Sequence, residues 1–112
     1  MNVSFRDKDL ERCSQDDRFC VKKLGAKRAK LFMSRLIQLD TAECLEDVKK
    51  FSGHFHELVG TRKGQWTCDL DQPYRLIFEP HEDPIPTDGN GKYLWIEIKG
   101  VEVVEIINYH GK

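Results

Sequence analysis

No stretch of the chain holds about 18 consecutive apolar residues, so nothing in it reads as a membrane-spanning helix. The opening, MNVSFRDKDLER, lacks the apolar core of a secretory signal, and the protein is expected to stay in the cytosol. No pair among Cys13, Cys20, Cys44 and Cys68 has Cys-x-x-Cys spacing, which removes the usual pattern of a structural zinc site. In a reducing compartment these cysteines are expected to be free, partly buried thiols. Neither sign of charge dominates: 18 Lys and Arg against 19 Asp and Glu leave a net charge of -1. Whole-molecule electrostatics therefore do not advertise a nucleic-acid partner, and any such role must rest on a local cluster.

What is present fits one compact domain spanning residues 1–112, with 39% apolar and 33% charged residues. A chain of this length can bury one sheet layer against one helix layer and little more. NVSF alternates polar and apolar residues and predicts a first strand. Asp7 is placed to cap a short helix over KDLERC, with Leu10 and Cys13 inward, and SQDD breaks that pattern. Ala29, Phe32, Met33, Leu36 and Ile37 then fall on one stripe of a helix whose start is blurred by Gly25. Asp40 and Glu43 have capping-box spacing ahead of a second helix, AECLEDVKKF, with Leu45 and Val48 inward. The short turn between the two predicts a helical hairpin.

From residue 64 onward the period becomes two. QWTCDL, YRLIFE, YLWIEIKG and VEVVEIINYH predict four consecutive strands, with Pro73 marking the first turn. PHEDPIPTDGNGK interrupts them as a proline- and glycine-rich excursion. The doublets Val103–Val104 and Ile106–Ile107 fit a bulge or a strand covered on both faces. A run of helices followed by a run of strands predicts an α+β fold, with antiparallel hairpins against a helix layer.

FHELVGTRKGQWTCDLDQPYRLIFEP (55–80), VEIINYH (104–110), the early SFRDKDLER and RLIQLDTAECLEDV together resemble the HigB-type plasmid-maintenance killer toxins. These toxins belong to the RelE/ParE superfamily. The resemblance spans nearly the whole chain and implies an N-terminal helical hairpin packed on a twisted, mainly antiparallel sheet of four to five strands. It implies the toxin of a type II toxin–antitoxin pair, a ribosome-dependent mRNA endonuclease needing neither metal nor other cofactor. Its implied partners are a helix-turn-helix antitoxin, the ribosome and mRNA, with operator DNA reached only through the antitoxin and no membrane involved.

Carried over by position, the resemblance makes His56, Arg75, Tyr109 and His110 the candidate catalytic residues and Arg62, Lys63 and Asn108 the candidate substrate-binding residues. Asn108 replaces the usual aspartate. Val59 and Asp71 stand where the family often has basic residues.

These residue types suit self-cleavage of RNA by its 2′-hydroxyl. That reaction needs a base, an acid and cations for the phosphorane charge. Histidine and tyrosine move protons, and arginine offers a fixed fork to phosphate oxygens. Plainer readings stand beside these. Arg75 can form a cross-strand ion pair with Glu79 or Glu97, and Arg62–Lys63 can be a solvated loop. Trp66 is expected in the core, in phase with Cys68 and Leu70. Lys27, Arg28, Lys30 and Arg35 can be a solvated face, or can touch ribosomal RNA or an acidic antitoxin. His54 and His56 form a His-x-His pair that no further spacing completes into a metal site. Two rival functions use the same fold: a ParE-like toxin that inhibits gyrase without cleaving RNA, and a catalytically impaired homologue that only binds antitoxin.

Overall fold

The computed structural model describes residues 1–109. Strand β1 (Asn2–Phe5) leads into helices α1 (Lys8–Gln15), α2 (Asp17–Leu24) and α3 (Ala26–Thr41). Strands β2 (His56–Glu57), β3 (Trp66–Asp69), β4 (Tyr74–Pro80) and β5 (Gly100–Asn108) follow, in a single sheet ordered β1-β5-β4-β3-β2. The β1–β5 pair is parallel and the other three are antiparallel. The chain is thus α+β, as expected, with a helical layer on a mainly antiparallel five-stranded sheet.

Asp7 caps α1 by accepting a hydrogen bond from the Leu10 amide at 3.0 Å, and Leu10 and Cys13 are buried. Asp16 repeats the device for α2, accepting from the Phe19 amide at 3.0 Å. That second cap explains why SQDD separates two helices instead of opening a loop. Gly25 then stands between α2 and α3 at φ +86° and ψ 155°, a region that side-chained residues avoid.

Several expected details differ. The helical pair is α2–α3, hinged at Gly25, because α3 continues through Asp40 to Thr41. Residues Leu45–Lys50 form a 3₁₀ helix without a side-chain cap, so Asp40 and Glu43 make no capping box. Leu45 and Val48 are nevertheless both buried, since three residues make one 3₁₀ turn. The buried stripe of α3 is Ala29, Phe32, Leu36 and Leu39, while Ile37 is 61% exposed. YLWIEIKG is not a strand: Trp95–Glu97 is a 3₁₀ turn that buries Trp95 and Ile98 and exposes Ile96. The fifth strand of the sheet is instead the two-residue β2.

Directly opposed residues share a sheet face. The inner face carries the rows Trp66–Phe78–Val103 and Cys68–Leu76–Ile106. It packs on Phe32, Leu36, Leu39 and Leu45 in one continuous core. Opposite β5, Ile77 pairs with Glu105 while Phe78 pairs with Val103, so Val104 is the extra residue of a bulge. The bulge resolves the valine doublet. It lets Val103 face the core and Glu105 face outward although they are two residues apart. All four cysteines are buried and free. Burial pushes the Cys13 thiol up to about 12, with a further contribution from its hydrogen bond with Cys20.

Candidate active site on the outer face of the sheet

The outer face carries the rows Asp69–Arg75–Ile107 and His56–Thr67–Ile77–Glu105. β4 places Arg75 between Asp69 on β3 and Ile107 on β5. The Arg75 Nε lies 3.6 Å from Asp69 Oδ1. Its partner is therefore Asp69, directly across the strand pair, and neither Glu79 nor Glu97. On its other side the Arg75 guanidinium stacks on the ring of Tyr109, 4.0 Å from the centroid. Tyr109 is held there by a hydrogen bond from its amide to the Pro73 carbonyl at 2.9 Å and by the pairing of Asn108 with Tyr74. Two segments about 35 residues apart in sequence thus meet at one guanidinium–ring contact.

Two histidines lie on the far side of Asp69 from Arg75. The rings of His54 and His56 stack with centroids 4.2 Å apart, tilted by 31°. His54 Nδ1 stands 3.8 Å from Asp69 Oδ2. His56 Nδ1 donates to the His54 carbonyl at 2.9 Å. Asp69 accordingly lies between a histidine and an arginine. Neither Asp69 nor His54 is marked as a site residue by the sequence pattern. The period of QWTCDL shows only that Asp69 points away from the core, and the neighbours that give it meaning come from a turn and another strand.

The GTRKG loop contributes differently. Residues Gly60–Arg62 form a 3₁₀ turn. Arg62 donates to Gln65 Oε1 at 2.7 Å and to Glu105 Oε2 at 2.8 Å, so it reaches over the row adjacent to Arg75. Lys63 turns away from Arg75. Its ammonium lies 5.6 Å from the Tyr93 ring centroid, and it borders a polar cleft of about 410 Å³ with Arg6, Gln65, Glu79, Glu82 and Glu102. In that cleft Arg6 pairs with both Glu79 and Glu102. His110 lies outside the described residues.

Two of the three departures from the family pattern, Val59 and Asp71, have clear settings. Val59 is 81% exposed. Asp71 accepts two hydrogen bonds from Arg28 on α3, at 2.9 and 3.1 Å. Arg28 also covers the Tyr74 ring at 3.4 Å. The family model for the RelE-like toxin of the type II toxin–antitoxin system HigB matches residues 3–88.

The chain belongs to the HigB-like toxin family. The matched span includes His56, Arg62, Lys63 and Arg75, while Asn108, Tyr109 and His110 lie beyond it. No curated protein matches the chain. As a type II toxin it has an antitoxin as its partner. Among the described residues of this HigB-like toxin no helix is long and apolar enough to cross a membrane, and no cluster of His, Cys, Asp and Glu is arranged to hold a metal ion.

Proposed function

We propose that this HigB-like toxin is an endoribonuclease that cuts mRNA on the translating ribosome in the cytoplasm and so stops translation. The RNA 2′-hydroxyl attacks the adjacent phosphorus, and protein side chains move the protons. Arg75 neutralises the phosphorane, with Arg62, Lys63 and Asn108 holding neighbouring nucleotides. His56, Tyr109 and His110 take part in the proton transfers, with base and acid not assigned among them. The single observation that supports this most is the stacking of Arg75 on Tyr109, with Asp69 standing between Arg75 and His54. A fixed cation thereby stands against one proton-carrying ring and shares a carboxylate with a second. The antitoxin is expected to be a small helix-turn-helix protein that carries the pair to operator DNA.

Induced expression in growing cells, with transcript 5′ ends mapped, tests this reading. Wild type should arrest growth and leave cut messages. Arg75→Ala and His110→Ala should each abolish cutting while melting cooperatively like the wild type. Unchanged cutting in both variants removes the site assignment. A second reading has its own observation: Arg62 is engaged by Glu105 and Arg75 by Asp69, so both candidate phosphate-binding cations already face a carboxylate. A homologue that binds antitoxin without cleaving RNA would give neither arrest nor cut ends in the same experiment.

A further inference from the structure

Among the described residues His54 is the one non-glycine residue with a positive φ, at +54°. Such a backbone is uncommon for a side-chained residue and persists where the surroundings impose it. Here two elements impose it. Gly53 precedes it at φ +110°, and a Cβ on Gly53 would stand 2.7 Å from the guanidinium carbon of Arg35. Arg35, on α3, donates to the Asp69 carbonyl at 2.6 Å and to Gln38 Oε1 at 3.0 Å. Gln38 in turn donates to the Ser52 carbonyl at 2.9 Å. From the sheet side, the Asp69 amide donates to the Gly53 carbonyl at 2.8 Å. α3 and β3 together clamp the turn at residues 52–54 and fix where the imidazole of His54 stands.

That imidazole is 63% exposed, with Nδ1 toward Asp69 Oδ2 at 3.8 Å. The other oxygen of Asp69 faces Arg75 Nε at 3.6 Å, and neither of those two buried atoms has a hydrogen-bond partner among the described residues. A histidine in an imposed backbone conformation, a carboxylate behind it and an arginine beside that carboxylate are thus neighbours, at separations just beyond hydrogen-bond length.

We infer that His54 is the catalytic base of this site and that Asp69 is the positioning residue that sets its tautomer; the assignment rests on the ribonuclease reading above. A carboxylate that closes from 3.8 Å to hydrogen-bond distance of Nδ1 keeps the proton on that nitrogen and leaves the Nε2 lone pair to accept another. Nε2 takes the 2′-hydroxyl proton as the 2′-oxygen–phosphorus bond forms. The phosphorus–5′-oxygen bond breaks, and the leaving oxygen takes a proton from the Tyr109 hydroxyl, whose ring lies under Arg75. The products are a 2′,3′-cyclic phosphate and a 5′-hydroxyl. Water returns a proton from His54 to Tyr109, so the cycle closes with no redox change.

The test is single-turnover cleavage of a short message on programmed ribosomes by the full chain, comparing wild type, His54→Asn, His54→Gly and Asp69→Asn. Asparagine and glycine both tolerate positive φ, so each removes the imidazole without straining the turn, and circular-dichroism melts check folding. Both His54 variants should cut about 100-fold more slowly or worse. Added imidazole should restore part of the rate to His54→Gly, which a purely structural role would not allow. Asp69→Asn should lose about tenfold in rate with ribosome affinity unchanged. Wild-type cutting by His54→Asn, or a His54→Gly defect that imidazole does not lift, overturns this assignment alone. Absence of cutting by the wild-type protein overturns the ribonuclease reading and this assignment with it.

Discussion

Arg28 grips Asp71 with two donors and lies flat on Tyr74, so one helix residue fastens α3 to the turn before β4. Both side chains are less than a quarter exposed, at 23% and 17%. The hydrogen bond from Arg28 holds the Asp71 carboxyl below its ordinary value of 3.8. A carboxyl depressed in the folded state contributes stability that is fully present above that ordinary value and is lost as pH falls through the folded one. Asp71→Asn should therefore cost about 1 kcal/mol at neutral pH. Denaturant melts of variant and wild type should converge as pH drops below 3.8. A gap that stays constant in acid would show that the charge of Asp71 contributes nothing. Thr67 makes the opposite case. It is fully buried on β3 between His56 and Ile77, and its hydroxyl has no partner among the described residues. An orphaned buried hydroxyl is a cost that an isosteric methyl removes, so Thr67→Val should raise stability by about 1 kcal/mol. A lower melting temperature for Thr67→Val would refute that account.

At the scale of elements, the hinge at Gly25 decides how the helical layer folds over. A Cβ there would meet nothing within 4 Å, so the only obstacle to a side chain is the backbone itself. Gly25→Ala should cost about 1–3 kcal/mol. Because ψ is 155°, outside the left-handed helical well, Gly25→Asn should fare no better, and chemical denaturation of the pair checks this. A milder Asn variant would place the hinge in that well instead. The elements legible in the sequence are those whose burial follows one simple period. β3 and β4 alternate in residue character, although Thr67 and Ile77 of the outer face are buried too; α1 announces its Asp7 cap, and the valine doublet marks the bulge of β5. α2 is hidden because DRFCVKKL buries only Cys20, leaving no stripe to read. Trp95–Glu97 mimics a strand because Leu94, Ile96 and Ile98 alternate, whereas the structure buries Trp95 and Ile98 at 3₁₀ spacing. The site is less legible still. Arg75 and Tyr109 come forward through family resemblance, whereas His54 and Asp69 gain their setting from hydrogen bonds among α3, a turn and β3, which no local pattern encodes.

For the molecule as a whole, a net charge of -1 conceals a strong separation. Residues 17–35 hold Arg18, Lys22, Lys23, Lys27, Arg28, Lys30 and Arg35 against a single acid, Asp17, so the rest of the chain carries a surplus of seven negative charges. Within that stretch Arg28 is engaged by Asp71, Lys23 by Asp9 at 3.0 Å, and Arg35 by the Asp69 carbonyl. Arg18, Lys22, Lys27 and Lys30 make no ion pair among the described residues. The other face of the sheet holds Glu79, Glu102 and Glu105, with Arg6 and Arg62 between them. A chain so polarised can be neutral overall and still present one basic surface to a polyanion. If the proposed ribosomal substrate is correct, that surface is the helical layer. Lys27→Glu combined with Lys30→Glu should then weaken co-sedimentation with ribosomes and flatten its salt dependence, by about one unit of slope for each phosphate no longer neutralised. Glu82→Lys combined with Asp83→Lys, in the acidic cleft, should weaken it not at all. The reverse ranking of the two double variants would move the ribosome contact to the sheet side, where the message is already proposed to bind, and leave the basic helices to the acidic partner that a neutralising antitoxin can supply.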